Sequence, residues 1–325
     1  MEPQNLERPF IHVSELLSDK ASHLQLQLVT GKEGLANKID FPKIQKPGLA
    51  LTGFTEYVRP GRVQIMGESE LAFLAQLDPA RRKEVLHQLC TVDIACFIVT
   101  RDLAPPEELI EEAEKHRIPL MRTRFVTSLC IEKMTAFLSD MLAPRTYVHA
   151  DLLDIFGLGV LLIGDSGIGK SECALDLVVR GHRLVSDDIV IIKKTTDTVL
   201  IGTAPDLIRY HMELRGLGVI NIKDLFGISA ISIFKRIELV ISLERWKPEV
   251  EYDRLGLEEN RHQILGVELP LIRMPVAAGR NFGILIEVAS RNYLLKAQGY
   301  NASRQLIQRV DEITATSPLS KTSSD

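Results

Sequence analysis

Hydrophobic positions along the chain fall into two recurring patterns, short unbroken apolar runs and stripes at helical spacing. Asp93–Thr100 (DIACFIVT) is an apolar run of strand length and predicts a buried strand. Pro105 and Pro106 then open PPEELIEEAEKHR, with glutamates in front and Lys115, His116 and Arg117 behind, the charge order that suits a helix dipole. Pro119 stops that helix and Ile118–Arg122 can return as a strand, giving one βαβ unit. Ile131, Met134, Leu138 and Met141 mark one face of a further helix over Ile131–Leu142. Ala143–Pro144 ends it and predicts the boundary of a first α/β domain, residues 1–143.

Residues 144–313 read as a second domain. Gly159–Ile163 (GVLLI) predicts a short strand, and Ala174, Leu177 and Val178 share one face of a helix over Glu172–Arg180. Leu184–Ile192 reads as strand, acidic pair, strand. Met212–Ile222 holds two glycines within an apolar run, which suggests strand–turn–strand. Ala302, Leu306, Val310 and Ile313 stand at helical spacing, a face expected to pack on the core. The last stretch, 314–325 (TATSPLSKTSSD), is polar and is expected to be a disordered tail.

Composition narrows the class. The 325 residues suit about two domains at roughly 150 residues each. With 45% hydrophobic and 25% charged residues the chain is globular rather than disordered. The charge sum, 39 − 43 = −4, gives no basic field to draw in nucleic acid or an anionic membrane. The longest uncharged apolar run, Ile155–Gly164, is about half a membrane span. The N-terminus (MEPQNLERPF) lacks a secretion pattern. Cys90, Cys96, Cys130 and Cys173 form no CxxC pair and no zinc spacing, so reduced, buried thiols in a cytoplasmic protein are expected.

The chemistry concentrates in the second half. Gly164-Asp165-Ser166-Gly167-Ile168-Gly169-Lys170-Ser171 fits G-x-x-x-x-G-K-[ST] at every fixed position, between a predicted strand and a predicted helix. Glycines let backbone N–H groups turn toward phosphate oxygens, and the helix N-terminus adds free donors and a positive partial charge. Lys170 supplies a full charge toward the β- and γ-phosphates, and the Ser171 hydroxyl is placed to ligate Mg²⁺. Asp187 and Asp188 follow at a strand end. Adjacent residues of an extended segment face opposite ways, so one carboxylate is expected to face the phosphates as metal ligand, base or both. Spacing does not say which. The first half offers no catalytic constellation: His12, His23, His87 and His116 are scattered along it, each expected to be structural or solvated. Asn37–Asp40 (NKID) imitates a guanine-reading motif but precedes the phosphate loop, the wrong order for a GTPase.

Several separated segments together resemble one family. They are GDSGIGKSE with its sequel Arg180–Asp188 (RGHRLVSDD), His149 in HADLLDIFGLGVLLIG, Met212–Ile222 (MELRGLGVINI), Tyr252–Gly256 (YDRLG) and Pro275–Asn281 (PVAAGRN). Together, and in their order along the chain, they are similar to HPr kinase/phosphorylase, the bacterial serine kinase of the sugar-transport phosphocarrier HPr. The chain departs from the pattern at Ala278, where the family carries proline. The resemblance implies an N-terminal α/β domain of unassigned role and a C-terminal P-loop kinase domain of the HPr kinase/phosphoenolpyruvate carboxykinase type.

It also implies roles, residue by residue. Gly164, Asp165, Ser166, Gly167, Ile168, Gly169, Lys170 and Ser171 bind ATP, and Ser171 and Glu213 hold Mg²⁺. Asp188 accepts the proton of the substrate serine in the kinase direction and returns one in the phosphorylase direction, where inorganic phosphate is substrate and pyrophosphate product. His149, Lys170 and Arg254 complete the catalytic set. The segment Pro275, Val276, Ala277, Ala278, Gly279 and Arg280 serves dephosphorylation. Met212, Glu213, Leu214, Arg215, Gly216, Leu217, Gly218, Val219, Ile220 and Asn221 form the signature segment. HPr is the implied partner and a homohexamer the implied assembly, with the enzyme regulating carbon metabolism. A nucleotide-binding sensor without catalysis and a small-molecule phosphotransferase related to phosphoenolpyruvate carboxykinase are the alternative readings.

Overall fold

The computed structural model describes residues 9–246, 260–276 and 281–316. Arg254 and the loop residues Ala277, Ala278, Gly279 and Arg280 lie outside them. The chain divides into two compact units, Met1–Ala143 and Pro144–Asp325.

In the first unit a short ladder joins β1 (Ile11–His12) to β3 (Lys38–Ile39). Four further strands, β2 (Leu26–Thr30), β4 (Val63–Met66), β5 (Cys96–Val99) and β6 (Leu120–Thr123), make a sheet in the order β2-β6-β5-β4. The predicted βαβ unit is present: β5 runs through α3 (Glu107–Lys115) into β6, which pairs with it in parallel. Strands β4 and β5 are buried at every position, as parallel strands covered on both faces require. The cover comes from α1 (Glu68–Gln76) and α2 (Pro79–Cys90) with α3 on one side, and α4 (Thr127–Met141) on the other. Helix α4 begins four residues before the apolar stripe that predicts it. Asn37 of the NKID sequence is a structural clamp, donating to the carbonyls of Ala95 (3.3 Å) and Arg117 (3.1 Å).

The second unit is layered. Strands β7 (Arg145–His149), β8 (Asp151–Ile155) and β9 (Leu158–Gly164) come first, then α5 (Lys170–Val179), β10 (Arg183–Ser186), β11 (Ile189–Thr196) and β12 (Val199–Thr203). The hairpin β13 (His211–Leu214) and β14 (Gly218–Asn221) leads into α6 (Ile222–Phe226). Strands β15 (Phe234–Arg236), β16 (Leu239–Arg245), β17 (Arg261–Ile264) and β18 (Val267–Val276) precede α7 (Phe282–Ala297) and α8 (Ala302–Thr316). A six-stranded sheet, β10-β8-β9-β16-β18-β17, is parallel only at its centre, β9-β16-β18. A four-stranded antiparallel sheet, β15-β12-β11-β7, accompanies it.

Alternation assigns the layers. Leu153, Leu162 and Ile241 face one way and pack with Leu177 and Val178 of α5 and Ile286 of α7. Their neighbours Leu152, Leu161 and Val240 face the other way and pack with Val190 and Leu200 of the second sheet. The central sheet therefore has helices on one face and strands on the other. The phosphate-loop sequence falls at the carboxyl end of a central parallel strand, where open α/β sheets place their ligands.

Two expectations change here. Helix α8 forms, but Leu306 and Val310 stand 59% and 49% exposed rather than packed on the core. The helix-facing side of the sheet is already covered by α5 and α7. The same helix continues through Thr316, three residues into the stretch read as a polar tail, and 317–325 lie outside the described residues.

Candidate active site

Gly164–Ser171 bridges β9 and α5 as its pattern predicts, with Lys170 and Ser171 in the first turn of the helix. Backbone geometry explains the glycines. Gly164, at φ +155°, has no room for a side chain, since a Cβ there would lie 2.6 Å from the Leu243 carbonyl oxygen. At Gly167, φ +76°, a Cβ would meet the Arg215 guanidinium at 2.7 Å. Arg215 thus leans over the loop and adds a second cation to it. The Lys170 ammonium turns back across the loop, donating to the carbonyls of Gly164 (3.1 Å) and Asp165 (3.4 Å).

These residues line an open cleft of ≈ 580 Å³, shared with His149, Glu172, Asp187, Asp188 and Glu213. The structure therefore brings together residues from four separated sequence segments. Pro275 and Val276 end β18, paired with Glu244 and Arg245 of β16. Asn281, last residue of PVAAGRN, caps α7 by accepting from Ile284 N–H at 3.1 Å. Glu213 sits on β13 with its side chain exposed, while its backbone N–H donates to Asp187 Oδ2 at 3.1 Å.

The acidic pair separates as expected, but not by strand alternation. Asp187 is 5% exposed, whereas the Asp188 side chain is 69% exposed. Asp188 is in the left-handed region, φ +62°, so a turn, not a pleat, throws the two carboxylates apart. Its backbone is held at both ends. The Asp188 carbonyl accepts from Ala150 N–H and its N–H donates to Asp151 Oδ1, both at 3.0 Å. His149, paired opposite Ile189 in the β7–β11 ladder, places Nδ1 3.9 Å from Asp188 Oδ1, ion-pair range and too long for a hydrogen bond.

Asp151 is the residue that sequence reading missed. It begins β8 and is fully buried. Its signal was an acid where alternation assigns a core position. Burial and then the charge of Asp187 push its carboxyl up to about 8, against the Asp188 N–H and the Lys170 charge, which favour ionisation. Burial raises Asp187 as well, opposed by the Glu213 N–H and the Ser171 hydroxyl. The Asp151 and Asp187 carboxyls also hydrogen-bond to each other, a contact that needs a proton on one of them.

The donor set of the cleft fits a hard cation. The Ser171 hydroxyl and the Asp187 and Glu213 carboxylates are all-oxygen donors bordering one cleft, the donor type Mg²⁺ takes together with substrate phosphates.

Comparison with known proteins agrees over both units. The HPr Serine kinase N terminus profile matches residues 11–138 and the HPr Serine kinase C-terminal domain profile matches 140–310. A Geobacter sulfurreducens protein named HPr kinase/phosphorylase is 49% identical over 92% of this chain and 93% of its own. One of the same name from Bacillus cytotoxicus is 44% identical over 90% and 94%. The solved structure of the Hpr(Ser) kinase/phosphatase from Coxiella burnetii is 35% identical, covers 47% of this chain and 99% of its own, and has a TM-score of 0.44. With the two profiles together matching most of the chain and relatives alike across nearly its full length, the chain belongs to the HPr serine kinase family.

Proposed function

We propose that the protein is a bifunctional enzyme that phosphorylates a serine of HPr with ATP and removes that phosphate by phosphorolysis. The observation that carries this reading is the placement of Asp188. Its exposed carboxylate stands at the mouth of the phosphate-loop cleft while its backbone is fixed at both ends.

In the kinase direction the serine Oγ attacks the γ-phosphorus, the bond to the β–γ bridging oxygen breaks, ADP leaves, and Asp188 takes the hydroxyl proton. In the other direction an oxygen of inorganic phosphate attacks the phosphoserine phosphorus. The bond to Oγ breaks, Asp188 returns its proton to that oxygen, and pyrophosphate leaves. The same group serves both ways because the second reaction retraces the proton path of the first. Gly164–Ser171 orient the phosphate chain through backbone N–H groups, and Lys170 and Arg215 spread positive charge over it. His149 lies beside Asp188 at the cleft. Ser171, Glu213 and Asp187 would hold Mg²⁺, which neutralises phosphate charge when bound. Arg254 supplies a further cation, and Pro275–Arg280 serves the phosphorylase direction.

The cytoplasm is the compartment where HPr and ATP meet, and no described helix is long and apolar enough to cross a membrane. The exposed apolar positions of α8, Leu306 and Val310, suit a partner surface in a homohexamer that docks HPr. The test is transfer of label from γ-labelled ATP to a serine of HPr, followed by its appearance in pyrophosphate when inorganic phosphate is added. Tight ATP binding without transfer would favour a sensor, and transfer to a metabolite a small-molecule phosphotransferase.

A further inference from the structure

The histidines that look scattered in the first half are not all apart in space. His87 on α2 and His116, directly after α3, converge on Glu112 of α3. Glu112 and His116 are four residues apart, hence on one side of the helix end, and α2 lies against that side. His87 Nδ1 is 2.8 Å from Glu112 Oε2, His116 Nε2 is 3.4 Å from the same oxygen, and the two ring nitrogens are 3.4 Å apart.

These three separations describe more than a hydrogen-bonded cluster. Zinc bonds of about 2.0–2.1 Å at tetrahedral angles put neighbouring ligand atoms roughly 3.4 Å apart. Two sides of the observed triangle have that length and the third is shorter. Two imidazole nitrogens and one carboxylate oxygen thus stand mutually close enough to share one ion. Hydrogen bonding alone needs a proton on each closely facing pair, whereas one cation serves all three lone pairs at once.

From this geometry we infer that His87, Glu112 and His116 form a zinc site in the N-terminal unit, separate from the nucleotide cleft. Two imidazoles and a carboxylate are a ligand set that zinc accepts with a fourth position left to water. Exposure is graded to match. Glu112 is only 3% exposed and anchors the ion from below, while His87 at 47% leaves the outer side open to solvent. Lys115 Nζ, 3.6 Å from Glu112 Oε1, holds the carboxylate's other oxygen and so orients the ligating one. The bound ion ties α2 to the end of α3.

The test is a zinc titration of the full chain, read by competition with a chromophoric chelator, with Mg²⁺ in excess to occupy oxygen sites. The inference expects one tight zinc per chain. In the His87→Gln, His116→Gln double variant that affinity falls by at least about tenfold, since losing a ligand costs no less than losing a ligand's supporting partner. Cobalt replacing zinc is expected to show visible bands typical of four- or five-coordination with nitrogen and oxygen ligands, without thiolate charge transfer, and the variant loses them. Kinase activity with Mg²⁺ and ATP is unchanged. Equal zinc affinity in both proteins, or an unaltered cobalt spectrum, overturns the site. Should the double variant fail to fold, the single His87→Gln change at a half-exposed position gives the same readings.

Discussion

At the residue scale, the site depends on a division of labour between neighbouring acids. Asp188 projects into the cleft because its left-handed backbone is pinned from below by Asp151. The cost is a fully buried carboxyl beside another. A carboxyl whose pKa is higher folded than unfolded holds its proton more tightly in the folded state. Its stabilising effect is complete below the unfolded pKa and is lost as pH rises through the folded one. For Asp151 that window runs from 3.8 to about 8. The Asp151→Asn variant, which keeps an oxygen for the Asp188 N–H, is therefore expected to be more stable than wild type at pH 8 without divalent cations. The advantage shrinks as pH is lowered toward 4. Thermal midpoints of both proteins across this range check it, and a constant difference would contradict it. The phosphate loop was legible because its chemistry requires a fixed order of residues. The left-handed turn at Asp188 was not, since aspartate tolerates that conformation without requiring it.

At the element scale, β9 fixes where the loop begins, and its register leaves no slack. Gly159 N–H donates to Glu238 Oε2 at 3.1 Å, its carbonyl accepts from Glu238 N–H at 2.9 Å, and a Cβ on it would lie 1.7 Å from the Arg236 carbonyl oxygen. Gly159→Ala is expected to lower unfolding free energy by roughly 1–3 kcal/mol through forced backbone shifts. Denaturant unfolding measures this, and an unchanged midpoint would refute so close an approach. The strands, α3 and α5 were readable because their apolar residues are spaced for burial. Helix α8 shows the limit: spacing places Leu306 and Val310 on one face but does not say what that face meets. Likewise, positions 87, 112 and 116 carry no motif until packing brings α2 to α3.

At the scale of the whole molecule, each unit has its own hydrophobic clusters. The phosphate-loop cleft is built wholly from the second unit. Its ligand should therefore stabilise that unit directly. At a hundred times its dissociation constant, Mg²⁺-bound ATP is expected to stabilise Pro144–Asp325 by about 2.7 kcal/mol. Lys170→Ala reduces the gain at the same ligand concentration. Calorimetry with and without nucleotide measures both, and an equal gain in the variant would remove Lys170 from the binding site. All four cysteines are buried and free, as their spacing predicted, and burial pushes the Cys90 and Cys173 thiols up to about 12. The break between the two compact units falls at the one proline that follows helix α4, whereas the layering of two sheets was not readable, because it rests on pairings distant in sequence.

The most direct test compares wild type with Asp188→Asn in both directions, using HPr and labelled ATP for the kinase and phosphoserine-HPr with inorganic phosphate for the phosphorylase. Loss of the proton-transferring group is expected to slow both reactions by roughly 10²–10⁴ while ATP affinity holds. Full activity of the variant in either direction would contradict a single carboxylate serving both.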